Sequence, residues 1–390
     1  MQTAKPGRLK IVHAITRMVR GGADENTLLS CNVQAEEGHE VHLIYGRDAS
    51  ESMLKRAHPG VQLHRVPSLV RPVSPIEDVT AVFAIARLLR AMKPDVVHTH
   101  TSKAGIVGRM AALLAGCKGI VHGVHILPFL NVGPVSRLFY ILAEKAMALV
   151  TDAFVDVSSG MRDACLEHRI GNPSNHYVVP SGMDIESFLR AAPLDEPALV
   201  EAVPDARDRP VQIVLMVAAL EARKRIVEFL DVFSAVSAAR PDARLVVLGE
   251  GVDRPRIERA IREQGLVGKV HLAGFRSDVE RWIARADVCV LSSEREGLPR
   301  AVVQYAAGAC PCVVTDLPGV DVVVKHGHTG YLVDCAKLQE MAKPVIDLLS
   351  DASLAHSMRE QARRLDLLPW SVQNMTSQLD SIYRTVLSQK

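Results

Sequence analysis

The first half of the chain alternates short apolar runs with amphipathic segments, and this rhythm strongly restricts the folds open to it. The apolar runs are rich in Val, Ile and Leu and lie at residues 9–15, 40–45, 61–66, 95–100 and 120–125. Segments with helical periodicity separate several of them, at residues 24–37, 76–92 and 103–116. Near-continuous apolar strands joined by helices are typical of a parallel sheet covered on both faces. The pattern therefore predicts a doubly wound α/β domain.

The same rhythm restarts after residue 210. A buried strand is predicted at residues 211–220 and a helix at residues 226–239, where apolar residues recur on one helical face. Three further strand-like runs follow. The intervening stretch, residues 189–210, is rich in Pro and Asp and is the predicted domain boundary.

A chain of 390 residues has a length that suits two domains. We expect them to span residues 1–190 and residues 191–370, with a last helical segment near residues 371–388. Two doubly wound domains imply a central cleft between them. Because such sheets bind ligands at the carboxyl ends of their strands, the informative residues are those that directly follow a strand.

Composition argues against several classes of function. The 46 basic and 44 acidic residues give a net charge of +2, without the basic excess of a nucleic-acid-binding protein, so no nucleic-acid partner is expected. The seven Cys residues are odd in number and scattered, which indicates reduced thiols in a cytoplasmic protein. No signal peptide is recognisable, and residues 119–136 contain two His and two Pro, which makes a poor membrane helix.

The RGGAD segment at residues 20–24 follows the first strand and opens a helix. Its paired glycines, Gly21 and Gly22, allow close backbone approach, and a helix N-terminus offers free N–H groups. The segment suits a phosphate or a sugar near one; the alternative is a glycine turn capped by Asp24. It is not a dinucleotide fingerprint, because the spaced third glycine is missing, and Arg254 likewise replaces the third glycine after Gly249.

Histidines end two other strands of the first half. His98 and His100 are spaced to share one face of a strand and could bind a metal, but no third ligand of the right type is near them in the sequence. A polar strand end that enters a helix is the favoured interpretation, and no metal is expected. His125 ends the following strand, where it is either a functional residue or a satisfied polar one.

Two segments of the second half carry charge just after strands. Arg223, Lys224 and Arg225 are three consecutive basic residues that suit a diphosphate, the alternative being a solvated loop. Glu296 can accept hydrogen bonds from sugar hydroxyls. The turn that follows it, formed by Gly297, Leu298 and Pro299, would present backbone N–H groups at a helix start.

The segment from Val288 through Gly330 resembles the C-terminal half of the retaining glycosyltransferases of family four, which depend on nucleotide sugars. ADVCVLSSEREGLPRAVVQYAAGACPCVVTD looks like their donor-binding signature. Other matching stretches occur in the family's order: GGAD, HTHTSKAGIVGRMAALLAG, the strand end at His125, VVPSGMDIESF, Lys224, VVLGEG and GFRSDVERWIARAD. The resemblance covers nearly the whole chain and implies the GT-B fold, with two Rossmann-like domains facing a central cleft and the last helix crossing back to the N-terminal domain.

The resemblance also implies roles for individual residues. Gly22 would lie beside the donor phosphate or the acceptor, His125 near the transferred sugar, and Lys224 on the diphosphate, while Glu296 would bind hydroxyls of the transferred sugar. His125, Glu296 and Lys224 are the implied catalytic residues. The remaining donor-site residues would be Arg223, Gly249, Arg276, Gly297, Leu298, Pro299 and Gln304. The acceptor-site residues would be Gly21, Asp24 and Lys103.

The implied reaction retains the configuration of the transferred sugar. It passes through an oxocarbenium-like state, with the departing phosphate as base for the incoming hydroxyl, and it uses no metal or other cofactor. The donor would be a UDP-linked hexose or N-acetylhexosamine rather than a GDP-sugar, and the acceptor a hydroxyl of a glycan, a lipid-linked or a small-molecule acceptor. The basic and apolar helices at residues 76–92 and 134–149 could make peripheral contact with the inner membrane surface; the favoured alternative is a helix packed on the N-terminal core.

Three departures from the family pattern leave alternatives open. Gln304 replaces the second glutamate of the signature, Ala218 and Ala219 replace a Gly-Arg pair, and Val322 replaces a third glutamate. The alternative function is therefore that of a divergent relative, with an altered donor or with no catalysis, which acts as a nucleotide-sugar-binding partner. A sugar-nucleotide epimerase shares the architecture, but it needs a pair of acid/base carboxylates that the sequence does not reveal.

Overall fold

The computed structural model describes residues 7–19, 22–127, 129, 133–296 and 300–390. The chain forms two compact units: unit 1 comprises Met1–Met183 and Pro369–Lys390, and unit 2 comprises Asp184–Leu368. Within the described residues each unit contains one sheet, and all strands in both sheets pair in parallel. The predicted fold class is thus confirmed: the protein consists of two Rossmann-like α/β domains.

The sheet of unit 1 has the strand order β3-β2-β1-β4-β5-β6-β7 among the described residues. Its strands are β1 (Lys10–Ile15), β2 (Glu40–Tyr45), β3 (Val61–Arg65), β4 (Val96–His100), β5 (Gly119–Val124), β6 (Ala153–Asp156) and β7 (His176–Val178). The order reverses at the neighbouring strands β1 and β4, where Ile15 pairs with His100. The carboxyl ends at this reversal are the expected position of a site.

Helices cover both faces of this sheet. They are α1 (Gly22–Glu36), α2 (Glu51–Leu54), α3 (Pro75–Met92), α4 (Ser102–Ala115), α5 (Pro134–Ala148) and α6 (Ser159–Glu167). Helices α3 and α4 pack Ile85 and Val107 against Val12 and Val97 of the sheet. Each buried aliphatic side chain of this kind contributes about 1.5–3 kcal/mol to folding.

The sheet of unit 2 has the order β10-β9-β8-β11-β12-β13 in the described part of the chain. Its strands are β8 (Gln212–Val217), β9 (Ala243–Leu248), β10 (Val270–Gly274), β11 (Val288–Leu291), β12 (Cys312–Thr315) and β13 (Gly330–Val333). Its helices are α7 (Ile185–Leu189), α8 (Glu196–Ala202), α9 (Ile226–Ala239), α10 (Arg254–Glu263), α11 (Val279–Arg285), α12 (Arg300–Ala307), α13 (Ala342–Ser350) and α14 (Ala352–Ala362). Helix α9 has the predicted bounds, and the strand order reverses at β8 and β11.

The last helix, α15 (Val372–Ser388), belongs to unit 1. Its apolar face packs Met375, Leu379 and Tyr383 into the core formed with Ile11 and Val121, on the sheet face opposite α3 and α4. The C-terminal segment therefore returns to the N-terminal domain.

The chain passes from unit 1 to unit 2 earlier than the predicted boundary at residue 190. The change falls between Met183 and Asp184. The reason lies in α7, which buries Ile185 and Phe188 and packs against α11 and α12 of unit 2. Tertiary packing, rather than the Pro-rich composition of the following stretch, sets the boundary.

Candidate functional site

Two loops meet at the strand reversal of unit 2. The loop after β8 carries Arg223 and Lys224 in a short 3₁₀ turn, and the loop after β11 carries Ser292, Ser293 and Glu296. The Ser292 hydroxyl donates to the Lys224 carbonyl oxygen at 2.7 Å. The backbone N–H of residue 294 donates to the Arg223 carbonyl oxygen at 2.8 Å. These bonds hold the basic loop beside the glutamate loop.

Glu296 is the centre of this arrangement. Lys224 Nζ donates to Glu296 Oε1, and the Ser293 hydroxyl donates to the same oxygen at 2.9 Å. Arg223 Nη1 donates to Glu296 Oε2 at 2.9 Å. The side chains of Lys224 and Glu296 are each only 10% exposed. We call Arg223, Lys224, Ser293 and Glu296 the glutamate cluster.

Burial and charge oppose one another in the glutamate cluster. Burial alone would raise the pKa of Glu296, but the positive charge of Lys224 and its hydrogen bond outweigh it, so the pKa is lowered. Burial also lowers the pKa of Lys224, and the charge of Glu296 offsets part of that effect. Glu296 is therefore a carboxylate at neutral pH, surrounded by hydrogen-bond donors.

Ala219 stands where the family pattern has an arginine, and the structure shows which nearby arginine contacts Glu296. Arg223 contacts Glu296, whereas Arg225 Nη1 donates to the Cys335 carbonyl oxygen at 2.6 Å. Arg225 also has a left-handed backbone with φ of 52°, which turns its side chain out of line with that of Lys224. The sequence left this choice open.

Gly249 directly follows β9 and approaches the end of β8 very closely. Its φ is +148°, and a Cβ atom there would lie 1.9 Å from the carbonyl oxygen of Ala218. Only glycine fits such a position without displacing backbone. The predicted donor-site residue Gly249 thus has a clear local role in bringing two strand ends together.

The other predicted donor-site residues have different surroundings. Arg276 forms two hydrogen bonds of 2.9 Å with the carboxylate of Asp278, and its guanidinium lies 5.7 Å from the ring centre of Trp282. Gln304 lies half-buried on α12. The turn at residues 297–299 lies outside the described residues.

A row of polar side chains crosses the carboxyl end of the sheet in unit 1. Gln34 Oε1 lies 2.8 Å from His13 Nε2, His13 Nδ1 lies 2.9 Å from His100 Nε2, and His100 Nδ1 lies 3.0 Å from His125 Nε2. His13 lies within β1, two residues before the strand ends. His100 is the last residue of β4, and His125 directly follows β5. We call these four residues the histidine chain.

The histidine chain fixes the tautomers of His13 and His100. Burial lowers the pKa of His13 to about 4 and holds that of His100 well below its usual range, so both rings are neutral and each carries one N–H. With Gln34 Oε1 accepting, His13 donates from Nε2 and accepts at Nδ1. His100 must then donate from Nε2 and accept from His125 Nε2.

His98 lies beside the histidine chain on the same strand face. Its Nδ1 is 2.7 Å from the Tyr383 hydroxyl on α15, and its buried Nε2 has no hydrogen-bond partner among the described residues. A Cβ atom on Gly123 would lie 3.0 to 3.1 Å from nitrogens of His98, His100 and His125. A glycine at position 123 is therefore what lets the three rings converge.

The sequence interpretation missed a third potential metal ligand next to His98 and His100. His13 stands 87 residues before His100 in the chain, yet donor nitrogens of His13, His98 and His100 lie within 4.8 Å of one another. The sequence feature that could have indicated this ligand was a histidine inside the apolar first strand. Both nitrogens of His13 are engaged, with Gln34 and His100, and both nitrogens of His100 are engaged, with His13 and His125, so the geometry favours a hydrogen-bond relay over metal ligation.

The predicted acceptor-site residues hold local structure. Gly22, predicted for the donor site, is the first residue of α1. The acceptor-site residue Asp24 is buried, with Oδ2 accepting from the Val19 N–H at 3.2 Å. Burial raises the pKa of Asp24. Lys103 Nζ lies 2.6 Å from Asp78 Oδ2, which joins α4 to α3. Gly21 lies outside the described residues.

The buried histidines predict a pH dependence of stability. In the unfolded chain His13 becomes protonated below its ordinary pKa of 6.5. In the folded protein its pKa is lowered to about 4, so it stays neutral until the pH falls to that value. Stability contributed by this group is therefore complete above 6.5 and is lost as the pH falls towards 4, at about 1.4 kcal/mol per pH unit. Urea unfolding across this range measures the slope. His13→Gln should make the slope less steep but not remove it, because burial also lowers the pKa values of His98, His100 and His122. The exposed His356→Gln should leave the slope unchanged, and equal slopes in all three proteins would contradict the assignment.

The fold places the chain among solved glycosyltransferases. A glycosyltransferase from Rickettsia africae superposes with a TM-score of 0.79 at 17% identity, over 98% of this chain and 100% of that one. HepE from Anabaena, solved in complex with UDP, superposes with a TM-score of 0.77 at 17% identity, over 97% and 100% of the two chains. This likeness shows the GT-B fold.

Two family models match the two halves in tandem. The model described as Glycosyltransferase Family 4 matches residues 20–187, and the model described as Glycosyl transferases group 1 matches residues 204–365. The chain belongs to the family-four type of GT-B glycosyltransferases. A relative from Escherichia coli, UDP-Gal:alpha-D-GlcNAc-diphosphoundecaprenol alpha-1,3-galactosyltransferase, is 26% identical over 351 residues, which is 89% of each chain.

Proposed function

We propose that this glycosyltransferase transfers a hexose or N-acetylhexosamine from a UDP-linked sugar to a hydroxyl of a glycan, lipid-linked or small-molecule acceptor, with retention of configuration. The observation that carries the proposal is the glutamate cluster at the carboxyl ends of β8 and β11. The UDP-Gal donor of the Escherichia coli relative and the UDP bound to HepE support UDP as the nucleotide.

In this proposal Lys224 and Arg223 contact the Glu296 carboxylate before the donor binds and the donor diphosphate afterwards. Without donor, both cations contact the carboxylate of Glu296. A diphosphate carries more negative charge and offers more acceptor oxygens, so it draws the two side chains towards itself when it binds. Glu296 then has oxygens available for the hydroxyls of the transferred sugar. The two cations stabilise the departing diphosphate, and the reaction needs no metal or other cofactor.

We place His125 near the transferred sugar, as the family resemblance implies. Its Nε2 lies 3.0 Å from His100 Nδ1, just beyond β5 in unit 1. The departing phosphate oxygen, rather than His125, takes the proton of the incoming acceptor hydroxyl, which keeps the attack on the face that the leaving group vacates.

Binding of UDP to the Lys224→Ala variant tests the donor site. Loss of one charge-assisted hydrogen bond, worth about 1.5–3 kcal/mol, should weaken UDP binding by roughly 10- to 100-fold. Calorimetry without added metal measures it, with GDP as the comparison nucleotide. Lys337→Ala removes an exposed lysine of the same unit and should bind UDP like the wild type. Equal UDP affinities of the two variants would contradict the assignment of Lys224 to the donor site.

One set of observations favours a second candidate, a divergent relative without ordinary transfer. Gln304 keeps only one acceptor oxygen, and Val322, at the position of a family glutamate, is 54% exposed. Absence of binding to both UDP and GDP would support this candidate. Turnover of a UDP-sugar with a simple acceptor would remove it.

We further propose that the enzyme works at the cytoplasmic face of the membrane when its acceptor is lipid-linked. The diphosphoundecaprenol-linked acceptor of the Escherichia coli relative supports this placement. Among the described residues we find no helix with the length and apolar character needed to cross a bilayer.

A further inference from the structure

Helix α5 turns an apolar stripe towards solvent. Val135, Leu138, Phe139 and Leu142 are spaced i, i+3, i+4 and i+7, so they share one helical face. Their side chains are 84%, 59%, 56% and 56% exposed, and Leu149 just beyond the helix is 88% exposed. The buried residue that α5 contributes is Glu144, on the opposite side. That opposite side packs Tyr140, Ile141 and Ala148 on a core cluster, so the exposed stripe is a second apolar side of α5 that the core does not use.

The neighbouring helices of the same sheet face continue this surface. Helix α3 exposes Ile76, Val79 and Phe83. Helix α4, which packs against both α3 and α5, exposes Met110, Leu113 and Leu114. We call these exposed side chains of α3, α4 and α5 the apolar face. Patches of this extent on a folded protein mark interaction sites, whereas single exposed apolar residues do not.

Uncompensated positive charge accompanies the apolar face. In the part of the chain that the structure describes, no ion pair involves the basic residues Arg87, Lys93, Lys118 and Lys145. The acidic residues of α3 and α5 are all paired, in the couples Glu77–Arg47, Asp78–Lys103 and Glu144–Arg109. The face therefore offers apolar side chains together with cations that lack a partner.

We propose that unit 1 docks on an anionic lipid bilayer through the apolar face, with α5 lying in the plane of the interface. Apolar side chains of an interfacial helix enter the boundary of headgroups and acyl chains, while Lys and Arg beside them contact lipid phosphates. A second copy of the chain fits less well, because a two-fold contact through this face would bring its unpaired cations together. This inference depends on the proposed function in one respect: docking would give the enzyme access to a lipid-linked acceptor.

Vesicle flotation of the full chain tests the proposal. The wild type should float with vesicles of phosphatidylcholine mixed with phosphatidylglycerol, should stay unbound with phosphatidylcholine alone, and should be released by salt. The double variant Leu138→Ser/Phe139→Ser should lose at least tenfold in binding, and so should Arg87→Glu/Lys145→Glu. The matched control Val252→Ser/Val267→Ser, which removes two exposed apolar side chains of unit 2, should bind like the wild type.

Other outcomes overturn the proposal. These are failure of the wild type to bind anionic vesicles, equal binding by all variants, or a dimer in solution that the Leu138→Ser/Phe139→Ser change dissociates. The changed side chains are exposed, so folding should be preserved, and thermal unfolding checks this. UDP calorimetry on the same variants separates the two proposals. Vesicle binding without UDP binding would refute the donor assignment alone, and UDP binding without vesicle binding would refute the docking surface alone.

Discussion

Replacement of Glu296 by alanine should lower kcat/KM for sugar transfer by a factor on the order of 10² to 10³, the usual cost of removing one preorganised hydrogen-bonding group from a transition-state site. Glu296 is held by Lys224, Arg223 and Ser293, so its oxygens are positioned before any sugar arrives. Transfer from a UDP-sugar to a simple acceptor measures the effect.

Binding of UDP itself should survive this change. Without Glu296, Lys224 and Arg223 lose their competing anion and are free to contact the diphosphate. The expected pattern is therefore a large loss of turnover with UDP affinity equal to or above that of the wild type. Glu294→Gln alters an exposed carboxylate of the same loop and should leave both quantities unchanged. Normal turnover by Glu296→Ala would show that the sugar binds elsewhere.

Replacement of Glu144 by alanine should reduce the free energy of unfolding of unit 1 by about 3–5 kcal/mol, because it leaves a buried charge without its partner. Arg109 is fully buried, and its Nη2 donates to Glu144 Oε2 at 2.6 Å. Its other donors contact the Gly105 carbonyl at 2.7 Å and the Thr151 hydroxyl at 3.2 Å. The pair joins α4 to α5.

Urea unfolding measures this loss, and an exposed ion pair of the same unit provides the control. Glu77 pairs with Arg47 at 2.7 Å, but the two side chains are 36% and 51% exposed, so Glu77→Ala should cost less than about 1 kcal/mol. Replacing both buried partners, as in Arg109→Met/Glu144→Leu, should destabilise less than Glu144→Ala alone, because no isolated charge remains. Similar losses for Glu77→Ala and Glu144→Ala would contradict this reasoning.

Periodicity in the sequence was enough to predict the two parallel sheets and most of the helices. The apolar strands are buried on both faces, as β1 and β4 show, and such burial requires the continuous Val and Ile runs that the sequence displays. Helix α9 has a regular apolar stripe and was predicted with its observed bounds. Positions after strands were also informative, because parallel strands carry their ligands at one edge.

Contacts between distant segments were beyond this reasoning. The sequence shows His98 and His100 as a pair, but it does not show that β1 lies beside β4 and so places His13 against His100. It shows three consecutive basic residues, but it does not show that Arg223 and Lys224 reach Glu296 while Arg225 reaches the Cys335 carbonyl oxygen. Both outcomes depend on strand order and loop conformation, which local periodicity does not encode.

The apolar face illustrates the same division. Residues 134–149 read equally well as a helix packed on the core, because an apolar stripe has the same spacing whether it faces inwards or outwards. In the structure α5 turns Glu144 towards Arg109 and packs Tyr140 and Ile141 on the core, and the stripe faces solvent. The sequence by itself determined the fold class, the order of elements and the residue types at the strand ends, since these follow from local periodicity. Only the tertiary structure decided which side chains meet and which surfaces stay uncovered, since these depend on packing between segments far apart in the chain.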